Sequence, residues 1–505
     1  MRTGSRLALA VASGWLAVSV GVGASGPISP DAAAIQVQLG GALFAEGRYR
    51  EALDAYQRAA GVDDARLVQR VRAGIVQAAL RVAEFRLASE SANILERIAP
   101  DQPETLALSG DARWAMGLFD EAETAYQALL TIDPANPRAR RGMARALASR
   151  SRLDEALVEA RAAVAGAPSD AEMHNTLSFV LERLRRYEEA AQAMANCLNL
   201  LPNREAGEQA TWARAEVKFL RSFGDRPPYE MAPADRLRRH TVPFKVDHEK
   251  VIVKVRLNGS RDDVDFVLDT GAENTAISRR TAQRFSVEPT MTTLTAGVGD
   301  VGVRGLQVGR LDSLEIGSFR VKNLPVIIKN PPLSALPTRE PEGFSPLALG
   351  LSMSVDYQRK QLTIGPGSSE GPFDLELPLR MHRLATVRGL VDETHAVNFV
   401  VDTGGEVISI STATARSLTK IRDSRRIWLK VYGTSGWERD AYLLPGVNLA
   451  FESIRMANTP VVVLNLGAPS ALLGYQLGGI VGHTFLKKYR FDIDLEKSRL
   501  RLKRL

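Results

Sequence analysis

The chain has 505 residues, room for about three domains, and its 45% hydrophobic and 24% charged residues are ordinary for a folded protein. A net charge of +7 is a mild excess, and the densest basic stretches, 236–240 and 497–505, carry no interleaved stacking aromatics, which argues against nucleic-acid binding. The single cysteine, Cys197, excludes an internal disulfide and a cysteine-rich zinc site; the six histidines contain no HExxH-type pair, so no metal and no cofactor is expected.

The first six residues carry two arginines, residues 7–22 are apolar and uncharged, and Val22 and Ala24 are small. This is the three-part layout of a signal peptide over 1–24, with cleavage after Ala24. The alternative is an uncleaved membrane anchor, because the apolar run nearly spans a bilayer. Either way the body is expected outside the cytoplasm, periplasmic or secreted.

A repeat follows. Ala52, Ala88, Ala122, Ala156 and Ala190 are spaced by 36, 34, 34 and 34 residues. Three residues before each stands Tyr49, Phe85, Phe119, Leu153 or Tyr187. Twelve residues after Ala88, Ala122, Ala156 and Ala190 stand Pro100, Pro134, Pro168 and Pro202. A small residue lets two helices approach, an aromatic fills the adjacent gap, and a proline ends the second helix. The pattern resembles the tetratricopeptide repeat. That resemblance implies an all-α solenoid of about five units over 35–203, with a concave face for docking another polypeptide. Cys197 falls in its last helix as a small core residue. Residues 204–243 are expected to hold a capping helix and then a proline-rich, charged linker.

From Phe244 the pattern turns to alternating, β-branched strands such as 251–257 and 264–269. Residues 266–278 and 399–411 are identical at eight of thirteen positions, and each holds Asp-Thr-Gly. Asn323 and Asn458, each in Asn-x-Pro, lie 54 and 56 residues after Asp269 and Asp402; Gly350 and Gly482, each after two apolar residues, lie 81 and 80 after them. Two homologous all-β lobes are expected, 244–367 and 368–505.

An Asp-Thr-Gly at a strand end, with an apolar-apolar-Gly further on, resembles the aspartic peptidases, specifically the retropepsin-like lobe. The resemblance implies that the lobes are a fused pair that needs no homodimer, with Asp269 and Asp402 as the catalytic carboxylates. Two carboxylates this close share one proton, so one acts as base on a water while the other acts as acid. Thr270, Gly271, Thr403 and Gly404 are implied as loop support. Leu349, Gly350, Val481 and Gly482 are implied as the apolar support beneath. Gly297, Gly299 and Gly433 lie where the family places a flap. Gly297, Gly299 and Gly302 also spell GxGxxG, but no helix pattern follows, so a dinucleotide site is not expected.

Pepsin-like members place a hydroxyl directly after Asp-Thr-Gly, where this chain has Ala272 and Gly405. Losing a donor to the ionised form should raise the pair's pKa values and move the optimum to less acidic pH. The expected function is an aspartic endopeptidase acting on polypeptides, with the repeat docking a substrate or adaptor. The alternative is a non-catalytic peptide-binding scaffold that keeps the fold.

Overall fold

The structure, a computed structural model, describes residues 28–205, 207–299, 301–329, 342–367, 371–418, 426–433 and 435–505. The expected signal segment, 1–24, and the lobe boundary at 368 lie outside the described residues.

The helical part is a run of antiparallel hairpins. Helix α1 (Pro30–Ala45) pairs with α2 (Tyr49–Arg58), α3 (Ala65–Arg81) with α4 (Phe85–Ile98), and α5 (Pro103–Ala115) with α6 (Phe119–Ile132). Helix α7 (Pro137–Ser149) pairs with α8 (Leu153–Gly166), α9 (Ala171–Arg183) with α10 (Tyr187–Leu200), and α11 (Glu208–Arg221) packs on α10. The first helices of four hairpins start on a side-chain cap, from Ser29, Asp64, Asn136 and Asp170. The second helices start on the repeat's aromatic or leucine, directly after a tight turn. That turn has one left-handed residue in every unit: Gly47, Ala83, Gly117, Ser151 and Arg185.

The five repeat alanines are fully buried, where a larger side chain would push the helices apart. A Cβ on Gly74 would lie 2.3 Å from the Tyr56 ring, and one on Gly142 would lie 2.5 Å from the Tyr126 ring. Glycine on one helix and tyrosine on the next are therefore one packing unit. Cys197 is buried in the core of the last units.

The β part has two lobes of like topology. In the first, strand Asp263–Leu268 lies antiparallel to Lys250–Leu257 and parallel to Glu342–Phe344. In the second, His395–Val401 lies antiparallel to Leu384–Val391 and parallel to Gly479–Val481. Asn323 and Asn458 both have left-handed backbone, at φ 53° and 49°. That conformation favours asparagine among residues with side chains, which explains the recurring landmark.

A six-stranded antiparallel layer joins the lobes. Its order is His240–Pro243, Gln361–Gly365, Ser352–Asp356, Tyr489–Asp494, Arg499–Arg504 and Leu375–His382. The expected linker needs correction here. Its last four residues, His240–Pro243, are an edge strand of this layer, and Glu230 bridges to Lys322. Proline and charge suit an edge strand as well as a linker, so composition did not separate them.

The helical array packs directly on the second lobe. Trp114 stacks edge-on to His382 at 5.2 Å, Phe119 meets Tyr475 at 5.2 Å, and the Gln476 N–H donates to the Ala115 carbonyl at 2.7 Å. Arg380 bonds Asp120 and, at 2.9 Å, Glu123, with Arg380 and Glu123 almost buried. The Arg388–Glu121 pair is half exposed. Arg185 donates to the Leu349 carbonyl of the first lobe, so the array touches both lobes.

Breaking a buried pair strands a charge, whereas a surface pair is screened. Arg380→Ala should therefore destabilise the folded chain by about 3 kcal/mol in urea unfolding. Arg388→Ala should cost less than about 1 kcal/mol.

Candidate active site

Strands Asp263–Leu268 and His395–Val401 become fully apolar and buried at their ends, and each then delivers its aspartate into a loop at the lobe interface. The Asp269 N–H donates to the Phe344 carbonyl at 2.8 Å, and the Asp402 N–H donates to the Val481 carbonyl at 3.1 Å. Each loop is thus pinned by the parallel strand beside it.

The two loops hold one another. The Thr270 N–H donates to Thr403 Oγ1 at 3.1 Å, and the Thr403 N–H donates to Thr270 Oγ1 at 3.0 Å. The Thr270 hydroxyl donates to the Val401 carbonyl at 2.6 Å, and the Thr403 hydroxyl donates to the Leu268 carbonyl at 2.7 Å. Both threonines are buried, so this reciprocal set has no water to compete with it.

The glycines bring the carboxylates together. A Cβ on Gly271 would lie 2.4 Å from Asp402 Cγ, and one on Gly404 would lie 2.7 Å from Asp269 Cγ. Each lobe's glycine backbone lies against the other lobe's carboxylate, so any side chain at either position would displace it. Burial raises the Asp269 pKa first and the charge of Asp402 adds to it, for a value of about 7; Lys329 and Lys250 offset part of this. Burial also raises Asp402.

The hydrogen bonds are unequal. Asp269 Oδ1 accepts the Gly271 N–H at 3.1 Å. Asp402 Oδ1 accepts the Gly404 N–H at 2.8 Å and the Gly405 N–H at 2.9 Å. The expectation of a missing donor therefore needs correction at Gly405. Its backbone supplies the bond that a hydroxyl would otherwise make, and a Cβ there would lie 2.7 Å from Asp402 Oδ2.

The apolar support also needs correction in the first lobe. Val481 and Gly482 lie beside the Asp402 loop, and a Cβ on Gly482 would lie 2.5 Å from the Val407 carbonyl oxygen. The first-lobe counterpart is not Leu349-Gly350. It is Gly343-Phe344-Ser345, since Phe344 pairs with Leu268 and holds the Asp269 N–H. Leu347–Leu349 is instead a short 3-10 turn just beyond, with Leu349 in the core and Gly350 left-handed at its end. From Ser345 to the turn carboxylate Asp356 is 11 residues, and from Gly482 to its counterpart Asp494 is 12. Each carboxylate accepts the N–H three residues on, from Arg359 and Lys497.

Gly297 and Gly433 line the same cavity as the pair; a Cβ on Gly433 would lie 2.3 Å from the Val298 carbonyl oxygen, and one on Gly299 would lie 2.3 Å from the Ser435 carbonyl carbon. Hairpin Pro289–Thr295/Arg304–Ile316 and hairpin Val431–Gly433/Gly436–Glu438 touch near their tips. The Gly297 N–H donates to Ser435 Oγ at 2.9 Å, the Ser435 N–H to the Val298 carbonyl at 2.9 Å, and the Val301 N–H to the Ser435 carbonyl at 3.2 Å. Ser435 has no sequence signal, being one serine in a glycine-rich turn. Glu273 was also missed; it accepts from Arg383 Nε at 2.6 Å and so ties the first lobe to the second.

The folded chain binds the Asp269 proton more tightly than the unfolded chain does. This carboxyl's contribution to stability is complete below about pH 4 and is lost as pH rises through about 7. Asp269→Asn should therefore stabilise the chain at pH 8, on the order of 2 kcal/mol, with the gain vanishing near pH 4. Thermal unfolding at both pH values checks this. Thr403→Val strands the buried Leu268 carbonyl and Thr270 N–H and should cost about 2–4 kcal/mol in urea unfolding.

Comparison with known proteins agrees with this architecture. The aspartyl protease family model matches residues 253–352 and again 385–485. Tetratricopeptide-repeat models match residues 17–66 and 113–179. No curated protein matches the chain. Among solved structures, a thermophilic tetratricopeptide-repeat protein of Thermus thermophilus is 18% identical, with a TM-score of 0.32, covering 37% of this chain and 98% of its own. A MamA structure from Desulfovibrio magneticus is 16% identical, with a TM-score of 0.26, covering 35% of this chain and 98% of its own. The chain carries tetratricopeptide repeats followed by an aspartyl-protease domain in two copies, consistent with paired retropepsin-like lobes.

Proposed function

We propose that the chain is an aspartic endopeptidase whose one active site is completed by both lobes. The observation that carries this reading is the crossed packing of Gly271 on Asp402 and Gly404 on Asp269, which puts two carboxyl groups in one place. Nothing in the stability of the fold calls for two adjacent carboxyls, which repel when both are ionised.

The pair holds one proton as a unit. Two backbone donors on Asp402 against one on Asp269 favour the microstate with the charge on Asp402 and the proton on Asp269. Asp402 takes a proton from the attacking water as its oxygen bonds to the scissile carbonyl carbon. Asp269 gives its proton to the carbonyl oxygen, leaving a neutral tetrahedral diol. Return of a proton to the amide nitrogen lets the C–N bond break, with no covalent enzyme intermediate. The two hairpins close over this site, and their three mutual hydrogen bonds must open to admit a chain.

The helical array is the docking part of the same enzyme. The apolar segment at 7–22 supports action outside the cytoplasm.

Asp269→Asn and Asp402→Asn should each lower peptide cleavage by about 10²–10⁴-fold, the usual worth of general acid–base catalysis. Wild-type cleavage should persist to near neutral pH and fall as pH passes about 7, when the shared proton is lost. A folded wild-type chain that cleaves no peptide between pH 4 and 7 would favour the scaffold reading.

A further inference from the structure

One cavity of about 2370 Å³ is lined both by Asp269 and Asp402 and by the inner face of the helical array. On the array side it meets Arg81 of α3 and Arg138, Arg141 and Arg145 of α7. Two carboxylates lie among these four arginines. Asp111 accepts from Arg138 Nε at 2.7 Å, Arg141 Nη2 at 2.8 Å and the Tyr126 hydroxyl at 2.7 Å. Glu172 accepts from Arg81 and from Arg141 Nη1 at 3.2 Å. Burial opposes ionisation of both, yet the arginines hold both well below the usual carboxylate range.

Arg145 is the cation left over. Its guanidinium lies 4.3 Å from the centre of the Trp114 ring, and it makes no hydrogen bond or ion pair with the described residues. Burial, and then the like charge of Arg141, lower its pKa. His382, on Trp114, is held neutral by burial and by neighbouring arginines. With Asp170 also on this wall, the four arginines outnumber the carboxylates by one, and one planar donor set is stacked in place without a hydrogen-bond partner among the described residues. Arg145 is partly exposed to the cavity, and a carboxylate is the group that a guanidinium fork fits.

The patch and the aspartate pair line the same cavity and are linked by a run of contacts. Arg145 covers Trp114, Trp114 meets His382, and Arg383 next to it bonds Glu273, four residues after Asp269.

We propose that Arg145 and the arginines around it form an anion subsite of the cleft, which takes a carboxylate of the polypeptide being cut and makes acidic polypeptides the substrate class. The array then selects the substrate itself rather than an adaptor. The proposal rests on the peptidase reading only for what happens at the aspartates. Holding one chain at two points raises the effective concentration of the scissile bond at the pair.

The test uses the full chain with Asp269→Asn and Asp402→Asn, which separates binding from cleavage, and fluorescently labelled peptides read by anisotropy. One peptide has an internal run of glutamates and an amidated end, the second has glutamines instead, and the third is neutral with a free C-terminal carboxylate. The glutamate peptide should bind at least about tenfold tighter than the glutamine peptide, a difference of about 1.4 kcal/mol, and added salt should shrink the gap. Arg145→Gln should abolish that preference. Tight, Arg145-dependent binding of the third peptide instead would keep the anion subsite, with the chain terminus as the anion, and overturn acidic polypeptides as the substrate class. Equal binding of all three, or a preference that survives Arg145→Gln, overturns it. Should that variant fail to fold, the peptide comparison and salt dependence on the parent chain decide. Selective binding by a chain whose wild type cleaves nothing keeps the subsite and removes the peptidase. Cleavage of glutamate and glutamine peptides with equal KM keeps the peptidase and removes the subsite.

Discussion

Two like-charged groups have to be held where each resists the other, and the β half of the chain is arranged around that requirement. Neither lobe meets it alone. The carboxylate comes from one lobe and the glycine backbone against it from the other, in both directions. The threonines repeat the exchange one residue on, with four hydrogen bonds crossing between loops. Since these bonds are buried and reciprocal, losing one partner strands groups in the other lobe. The six-stranded layer, the Glu273–Arg383 pair and the meeting hairpins all tie the lobes at further points around this centre.

The helical array belongs to the same construction. A flexible tether would leave it free of the lobes, yet it is fixed by an aromatic cluster through Trp114, Phe119, His382 and Tyr475 and by the nearly buried Arg380. Its inner face consequently walls the cavity that the aspartates open into. A repeat normally read as a separate docking module is here part of the enclosure, so its side chains face the same cavity as the aspartates.

Much of this was legible because it is local. The repeat alanines, aromatics and prolines mark helix contacts and helix ends at a fixed period, and they fall in the structure where those contacts occur. The doubled Asp-Thr-Gly was legible because few residue types can occupy a loop pressed against a carboxylate. The first lobe's support was misread because its strand is Glu342-Gly343-Phe344 and a serine stands where the second lobe has Gly482. The nearby Ala348-Leu349-Gly350 imitates the motif, although only strand pairing decides which segment lies beside the loop. Gly405 was misread for a different reason: a backbone N–H can replace a hydroxyl, and side-chain identity does not report it. Arg145, Arg380 and Ser435 gain their meaning from residues more than a hundred positions away or on neighbouring helices, and no local pattern marks them.

The claim most exposed to test is that one chain holds one complete pair of carboxyls. The direct measurement is peptide cleavage by Asp269→Asn chains, by Asp402→Asn chains, and by the two mixed together over a range of concentrations. A site built within the chain predicts wild-type activity proportional to concentration, with each variant and their mixture equally inactive. Activity that returns on mixing would place the two carboxyls in different chains, and full activity in either single variant would show that the pair is not the catalyst.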